Sequence, residues 1–502
     1  MQMKLKGDYF DGQWHLPTKA PNETIEKHSP ADLSQLLWTA AIWHDHAEAT
    51  IQSAEKGFAT WRKLSFEDRA VFFRKYQEAC KKRQDEIATA LAWEVGKPLW
   101  EAKTEASALA SKVDVTLSDS LDRIKTRTIK EVMPKIDGHT VMKPLGPSFV
   151  IGPFNFPCHL ANGQMLSALL AGNSVIFKPS EKTIYSAQLM MECFAEAGFP
   201  KGVVNFINGT GKTAGIITGD PRIKAVFFTG SRAVGKMILK NTHQDLKKLV
   251  ALELGGKNST IIHFDASIDH ALPELLRSCF LTTGQRCTST SIIHIHRRIA
   301  DSFIDQFKKT TERILVDHPV LAKTPPFMGS LIDAQAEKLY FDFCAQGLKE
   351  GAQEIIAPKK LDLEWKGHYV SPSIHYLEKA DLKGKFVQEE IFGPNCCFLP
   401  YDDIDEAINA ANCTEYGLAA SVFTRDQRIY QQCLSDIDAG LINLNRSTVG
   451  ATARLPFGGV KDSGNFRPAA VSMIDHCVST VASLETTDDT SSKLADVVGL
   501  RA

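Results

Sequence analysis

Gly284-Gln285-Arg286-Cys287-Thr288-Ser289 sets one cysteine between a glycine and two hydroxyl residues. Small neighbours leave the sulfur approachable and backbone N–H groups can face a bound oxyanion, so Cys287 is a candidate nucleophile. A thiol buried for packing is the competing reading. Glu253 ends the apolar run Leu249-Val250-Ala251-Leu252 and precedes Gly255 and Gly256, which let the backbone approach something closely. A carboxylate there can be a general base with a burial-raised pKa, or simply a loop charge. Asn155 stands between aromatics and prolines in Pro153-Phe154-Asn155-Phe156-Pro157, where its amide can donate to an oxyanion or serve only a turn.

A second group of residues suits a nucleotide. Lys178-Pro179-Ser180-Glu181 follows Val175-Ile176-Phe177, placing a cation and an anion at the end of a strand, where Lys178 and Glu181 can grip ribose hydroxyls or form a solvated pair. Phe228-Thr229-Gly230-Ser231-Arg232-Ala233-Val234-Gly235 runs from a strand into a helix, and its glycines can bring the helix start to a pyrophosphate or form a bare junction. Gly209-Thr210-Gly211-Lys212 is a weaker rival, because a phosphate-binding loop of the Walker type needs glycine where Phe206 stands.

These residues need a scaffold. Helical periodicity runs over Ile51 to Trp61 and Phe66 to Glu94, and from Pro144 short apolar strands alternate with helix-like stretches such as 162–171 and 184–197. That alternation predicts a parallel sheet covered by helices, and a second one, including a helix over 298–315, runs from Glu253 to Asn445. Two β-prone stretches, 126–141 and 477–484, fit neither alternation and are expected to pair as an edge or arm. The chain has 502 residues, with 58 Lys plus Arg against 59 Asp plus Glu, so no positive field exists to hold nucleic acid. No signal-peptide pattern opens it and no apolar run is long enough to span a bilayer, so a cytoplasmic protein away from membranes is expected. Eleven cysteines without a C-x-x-C pair indicate reduced thiols and no thiolate metal site.

In this order, and with Glu389-Glu390-Ile391-Phe392-Gly393-Pro394 and Pro456-Phe457-Gly458-Gly459 added, the blocks resemble the aldehyde dehydrogenase superfamily over nearly the whole chain. The resemblance implies an α/β fold of two doubly wound domains with a small β arm. Its expected units are 1–121 with 144–252 for NAD binding, 253–455 for catalysis, 122–143 with 467–486 for oligomerisation, and a tail over 487–502. It implies a homodimer or homotetramer acting on a small aldehyde. Cys287 would attack the aldehyde, Asn155 would stabilise the oxyanion, and Glu253 would activate the water that hydrolyses the thioester. Lys178, Ser180 and Glu181 would hold the adenosine ribose, Gly230, Ser231 and Gly235 the pyrophosphate, and Glu390 with Phe392 the nicotinamide riboside.

Glu181 favours NAD over NADP, since a carboxylate accepts from a free 2′-hydroxyl and repels a 2′-phosphate. The segment Ser463-Gly464-Asn465-Phe466-Arg467-Pro468, continuing to Ala482-Ser483-Leu484-Glu485, resembles the members that oxidise N-succinylglutamate 5-semialdehyde in arginine catabolism. For so acidic a substrate the chain should offer cations, and Arg446 and Arg454 are the candidates. Another acidic or aliphatic semialdehyde, transfer of the acyl group to coenzyme A, and a catalytically silent NAD-binding protein are the alternatives.

Overall fold

The apolar runs after Pro144 are buried end to end, as strands covered on both faces must be. In the computed structural model, which describes residues 3–16, 19–487 and 497–500, five of them join two strands from residues 8–15 in one seven-stranded sheet. Its order is Leu249–Glu253, Ala225–Thr229, Ser148–Ile151, Val175–Lys178, Val204–Phe206, Asp8–Phe10 and Gln13–His15, the first five parallel and Asp8–Phe10 antiparallel to both its neighbours. Side chains alternate between two cores: Phe149, Ile176 and Phe228 on one face, Val150, Phe177 and Phe227 on the other. Truncating fully buried Phe227 to alanine should cost about 3–5 kcal/mol.

Strand order decides where a ligand goes. The chain winds outward from Ser148–Ile151 through the strands at 175 and 204, then returns to the other side of Ser148–Ile151 for the strands at 225 and 249. The crevice outside the carboxyl ends of Ser148–Ile151 and Ala225–Thr229 is therefore a topological switch point.

Helices α1 (His46–Trp61), α2 (Phe66–Lys82), α3 (Gln84–Val95) and α4 (Leu99–Val115) precede the sheet. The single helical pattern expected over 66–94 is two helices, broken at Arg83 (φ −101°, ψ 9°). Ser65 starts α2 by accepting from the Asp68 N–H at 3.1 Å, with a reciprocal bond completing a capping box. The crossovers use α5 (His159–Ala171), α6 (Ile184–Glu196), α7 (Gly211–Gly219) and α8 (Arg232–Thr242). Gly172, at φ 102°, ends α5 in the left-handed region.

A second seven-stranded sheet carries Asn258–Ile262, Thr290–His296, Asn395–Tyr401 and Ala419–Phe423 at its centre. Its only antiparallel neighbour among the described strands is the edge strand Gln353–Ile356. The helix expected over 298–315 spans Ala300–Thr311. Ile136–Pro144 and Val478–Thr486 pair antiparallel over nine residues, with Arg127–Met133 on the outer edge. Sequence periodicity misses the hairpin Glu23–Ser29/Asp32–Ile42, whose turn residue Ala31 is buried in the core of the second sheet, not the first. Of the tail expected over 487–502, residues 488–496 and 501–502 lie outside the described residues. No described helix is long and apolar enough to cross a membrane.

Candidate active site

The carboxyl ends of the central strands open into one cavity of about 550 Å³. This is the size of a small-molecule or cofactor site. Cys287, Glu253 and Asn155 all line it, though they come from separate stretches of chain. Lys178, Ser180 and Glu181 line it from the strand at 175, Gly230 and Ser231 from the strand at 225, and Glu390 and Phe392 from the second lobe.

Cys287 sits in a rigid loop. Thr282, Thr283 and Gly284 take consecutive left-handed conformations (φ 56°, 55° and 70°). A Cβ on Gly284 would lie 2.2 Å from the Gly393 carbonyl oxygen, so only glycine fits the turn. Buried Glu101 accepts from the Thr282 N–H at 3.1 Å and pairs with Arg286 at 2.7 Å. Downstream, Asn258 Nδ2 donates to the Cys287 carbonyl at 2.7 Å. Burial pushes the Cys287 thiol well up; the carboxylates of Glu253 and Glu390 add to this, and Arg286 opposes it.

Asn155 reaches the cavity from the loop after Ile151. Its Nδ2 donates to the Gln285 carbonyl at 2.8 Å, and its own carbonyl accepts from Lys97 Nζ at 2.5 Å. Lys97 is fully buried and paired with Glu105 at 2.7 Å. The amide is thus fixed beside the nucleophile loop with a second Nδ2 hydrogen still to give.

Glu253 is 1% exposed, and neither carboxylate oxygen has a hydrogen-bond partner among the described residues. Burial lifts its pKa well above the carboxylate range. A carboxyl in that condition holds its proton and is a strong base once ionised. The linker beyond it crosses into the second sheet, where a Cβ on Gly255 would lie 2.2 Å from Glu390 Oε2. The Gly256 N–H donates to Glu390 Oε1 at 3.0 Å, and burial raises Glu390 to about 7.

The other end of the cavity fits a dinucleotide. Lys178 Nζ donates to the carbonyls of Pro179 and Gly209, both at 2.7 Å, and lies 3.9 Å from Glu181. Ser231 caps α8, so the helix points free N–H groups and its positive end into the cavity. Ala214 and Gly215 of α7 and Val234, Met237 and Ile238 of α8 wall an apolar slot suited to a flat base. In sequence the 209–212 stretch is only a weak phosphate motif, and the small residues at 214 and 215 are the one local hint of the slot.

Three expected positions need correction. Gly235 does not line the cavity: it packs one layer back, where a Cβ would meet Leu254 Cδ2 at 2.8 Å, so it lets α8 settle on the sheet. Arg454 is exposed and paired with Asp119 at 2.7 Å. Arg446 is exposed at the end of its strand, and neither arginine reaches the cavity. No described group of three or more His, Cys, Asp or Glu side chains converges as a metal site.

Comparison with known proteins agrees with this geometry. The model of the aldehyde dehydrogenase family matches residues 17–482. Proteins named N-succinylglutamate 5-semialdehyde dehydrogenase from Burkholderia multivorans and Cronobacter sakazakii are 37% and 34% identical, each over 95% of this chain and 96% and 95% of their own. Among solved structures, an NAD-dependent aldehyde dehydrogenase from Sinorhizobium meliloti superposes with a TM-score of 0.91 at 27% identity, covering 96% of this chain and 94% of that one. The Thermus 1-pyrroline-5-carboxylate dehydrogenase with bound NAD gives 0.88 at 28% identity, covering 96% and 93%. With the family model spanning nearly its full length and its nucleophile, carboxyl and amide lining one cavity, the chain belongs to the aldehyde dehydrogenase family.

Proposed function

We propose that the protein oxidises N-succinyl-L-glutamate 5-semialdehyde to N-succinyl-L-glutamate with NAD, as a cytoplasmic enzyme of arginine catabolism. The observation that carries the chemistry is the meeting of Cys287, Glu253 and Asn155 in one cavity whose other end suits a dinucleotide. The substrate follows from relatives of that name at 34–37% identity over nearly the whole chain.

In this reading the Cys287 thiol gives its proton to solvent, the thiolate attacks the aldehyde carbon, and the oxyanion accepts from the free Nδ2 hydrogen of Asn155 and the Cys287 N–H. The dinucleotide supplies the hydride acceptor, which leaves a thioester on Cys287. Lys178, Ser180 and Glu181 would hold its adenosine ribose, Gly230 and Ser231 its pyrophosphate, and Glu390 with Phe392 its nicotinamide riboside. Ionised Glu253 then takes a proton from water as that water attacks the thioester, the C–S bond breaks to return Cys287 as thiolate, and the carboxylate product departs.

The protein works as a homodimer or homotetramer. Supporting this, every residue of the outer arm strand Arg127–Met133 is exposed, including Ile129, Val132 and Met133. An unpaired apolar edge of that kind needs cover.

The test is NADH formation with the succinylated semialdehyde beside succinate semialdehyde, glutamate semialdehyde and propanal. A preference in kcat/KM of about a hundredfold, roughly 2.7 kcal/mol of transition-state binding, supports the reading. Comparable turnover of all four overturns it.

A further inference from the structure

Charges on α4 and the turn after it are paired, Lys103 with Asp85 at 3.4 Å among them, except for one cation. Glu101 is matched to Arg286 at 2.7 Å, Glu105 to Lys97 at 2.7 Å, Asp114 to Arg74 at 2.5 Å and Asp119 to Arg454 at 2.7 Å. Lys112, on the same helix, has none of these. It is 4% exposed, and its ammonium is shielded from solvent without a hydrogen-bond partner among the described residues. A buried ammonium without a counter-charge is costly unless an anion completes it.

Its surroundings lie beside the reacting centre. Lys112 faces α5 at Gly163, where a Cβ would stand 3.3 Å from Lys112 Cε. One turn earlier on α5 is His159, whose Nδ1 is also shielded and unpartnered among the described residues. The α5 face at His159, Leu160 and Gly163 stays partly open while the rest of that helix is buried, and Leu160 lines the cavity that holds Cys287. Asn155 is four residues before His159, and the His159 N–H donates to Glu105 at 3.2 Å, the carboxylate that holds Lys97 against the Asn155 carbonyl.

We propose that Lys112, with His159 beside it, is a specificity-determining cation set just behind the cavity wall at Leu160, where α4 packs on α5, and that it receives a carboxylate of the substrate. This rests on the proposed oxidation of an acidic semialdehyde and replaces Arg446 and Arg454 as the source of that specificity. An aldehyde held at Cys287 would lay its tail past Asn155 toward Leu160 and the ammonium behind it, and a neutral aldehyde would leave that ammonium uncompensated. Burial without a counter-charge lowers Lys112 to about 8, and an anion placed beside it would favour the ammonium form.

Lys112→Met and Lys112→Gln test this. A hydrogen bond to a charged group contributes about 1.5–3 kcal/mol, so kcat/KM for the preferred carboxylated aldehyde should fall about 10–150-fold, mainly through KM. Propanal oxidation should change less than about threefold, the KM for NAD should hold, and Lys112→Arg should restore part of the loss. In the unaltered enzyme, succinate should compete with propanal, and this inhibition should weaken in the variants. Equal losses for both aldehydes, no loss for either, or no inhibition by succinate overturns the assignment. If the unaltered enzyme prefers succinate or glutamate semialdehyde and Lys112→Met abolishes that preference, Lys112 stands and the proposed substrate falls. If it prefers the succinylated semialdehyde and Lys112→Met keeps that preference, the substrate stands and Lys112 falls.

Discussion

Asn155 Nδ2 donates to the carbonyl oxygen of Gln285 at 2.8 Å, joining the loop after the first sheet's central strand to the loop that carries Cys287 in the second lobe. The bond sets the amide's orientation, so the oxyanion donor is in place before substrate arrives. Asn155→Ala should lower kcat by about 10²–10³ and cost about 1–3 kcal/mol of stability, because the buried Gln285 carbonyl and the Phe156 N–H lose their partner. Steady-state kinetics beside a melting curve checks both halves.

Glu253→Gln separates the two half-reactions. The Cys287 attack and dinucleotide reduction remain, whereas water attack loses its base, about 10²–10⁴ of rate. Rapid mixing should show a burst of one NADH per active site followed by slow turnover. A proportional loss of the burst would assign Glu253 to the first step.

The same variant should show a pH-dependent gain in stability. Burial raises Glu253 above its ordinary value of 4.5, so the folded chain binds that proton more tightly than the unfolded chain. Stability from this group is present below about 4.5 and lost as pH rises, by up to about 1.4 kcal/mol per unit until the folded pKa is passed. Denaturant melts of Glu253→Gln and the unaltered protein should therefore diverge from pH 5 to pH 8, in favour of the variant. Parallel curves would mean that Glu253 is not buried as a proton-holding carboxyl.

Glu181 is about half exposed beside Lys178. Glu181→Ser should lower the KM for NADP at least about tenfold and raise that for NAD, through loss of one repulsive and one accepting carboxylate. A KM for NADP already below that for NAD would contradict the role.

Much of the site was legible because its residues announce themselves locally. Glu253 and Asn155 follow apolar runs beside glycines or prolines, Cys287 stands between a glycine and hydroxyl residues, and continuous apolar strands mark a sheet buried on both faces. What was missed depends on contacts between distant residues. Arg454 reads as a free cation until Asp119, 335 positions away, is folded against it. Lys112 reads as one of many helix-surface lysines until the helix it sits on is packed against α5. Gly235 fits a phosphate motif by spacing, yet its missing side chain serves Leu254. The hairpin at 23–42 buries Leu37, Trp38, Ala40 and Ile42 in the first core and its turn residue Ala31 in the second, contacts with distant residues that no local period announces.

The central claim, covalent oxidation of the succinylated semialdehyde at one thiol, is tested most directly by mass spectrometry of Glu253→Gln after mixing with that aldehyde and NAD. The account predicts a single N-succinylglutamyl thioester, mapped to Cys287 and absent without NAD, with the other ten cysteines unmodified. An adduct on a different cysteine, or NADH release with no acylated protein at any time, would contradict it.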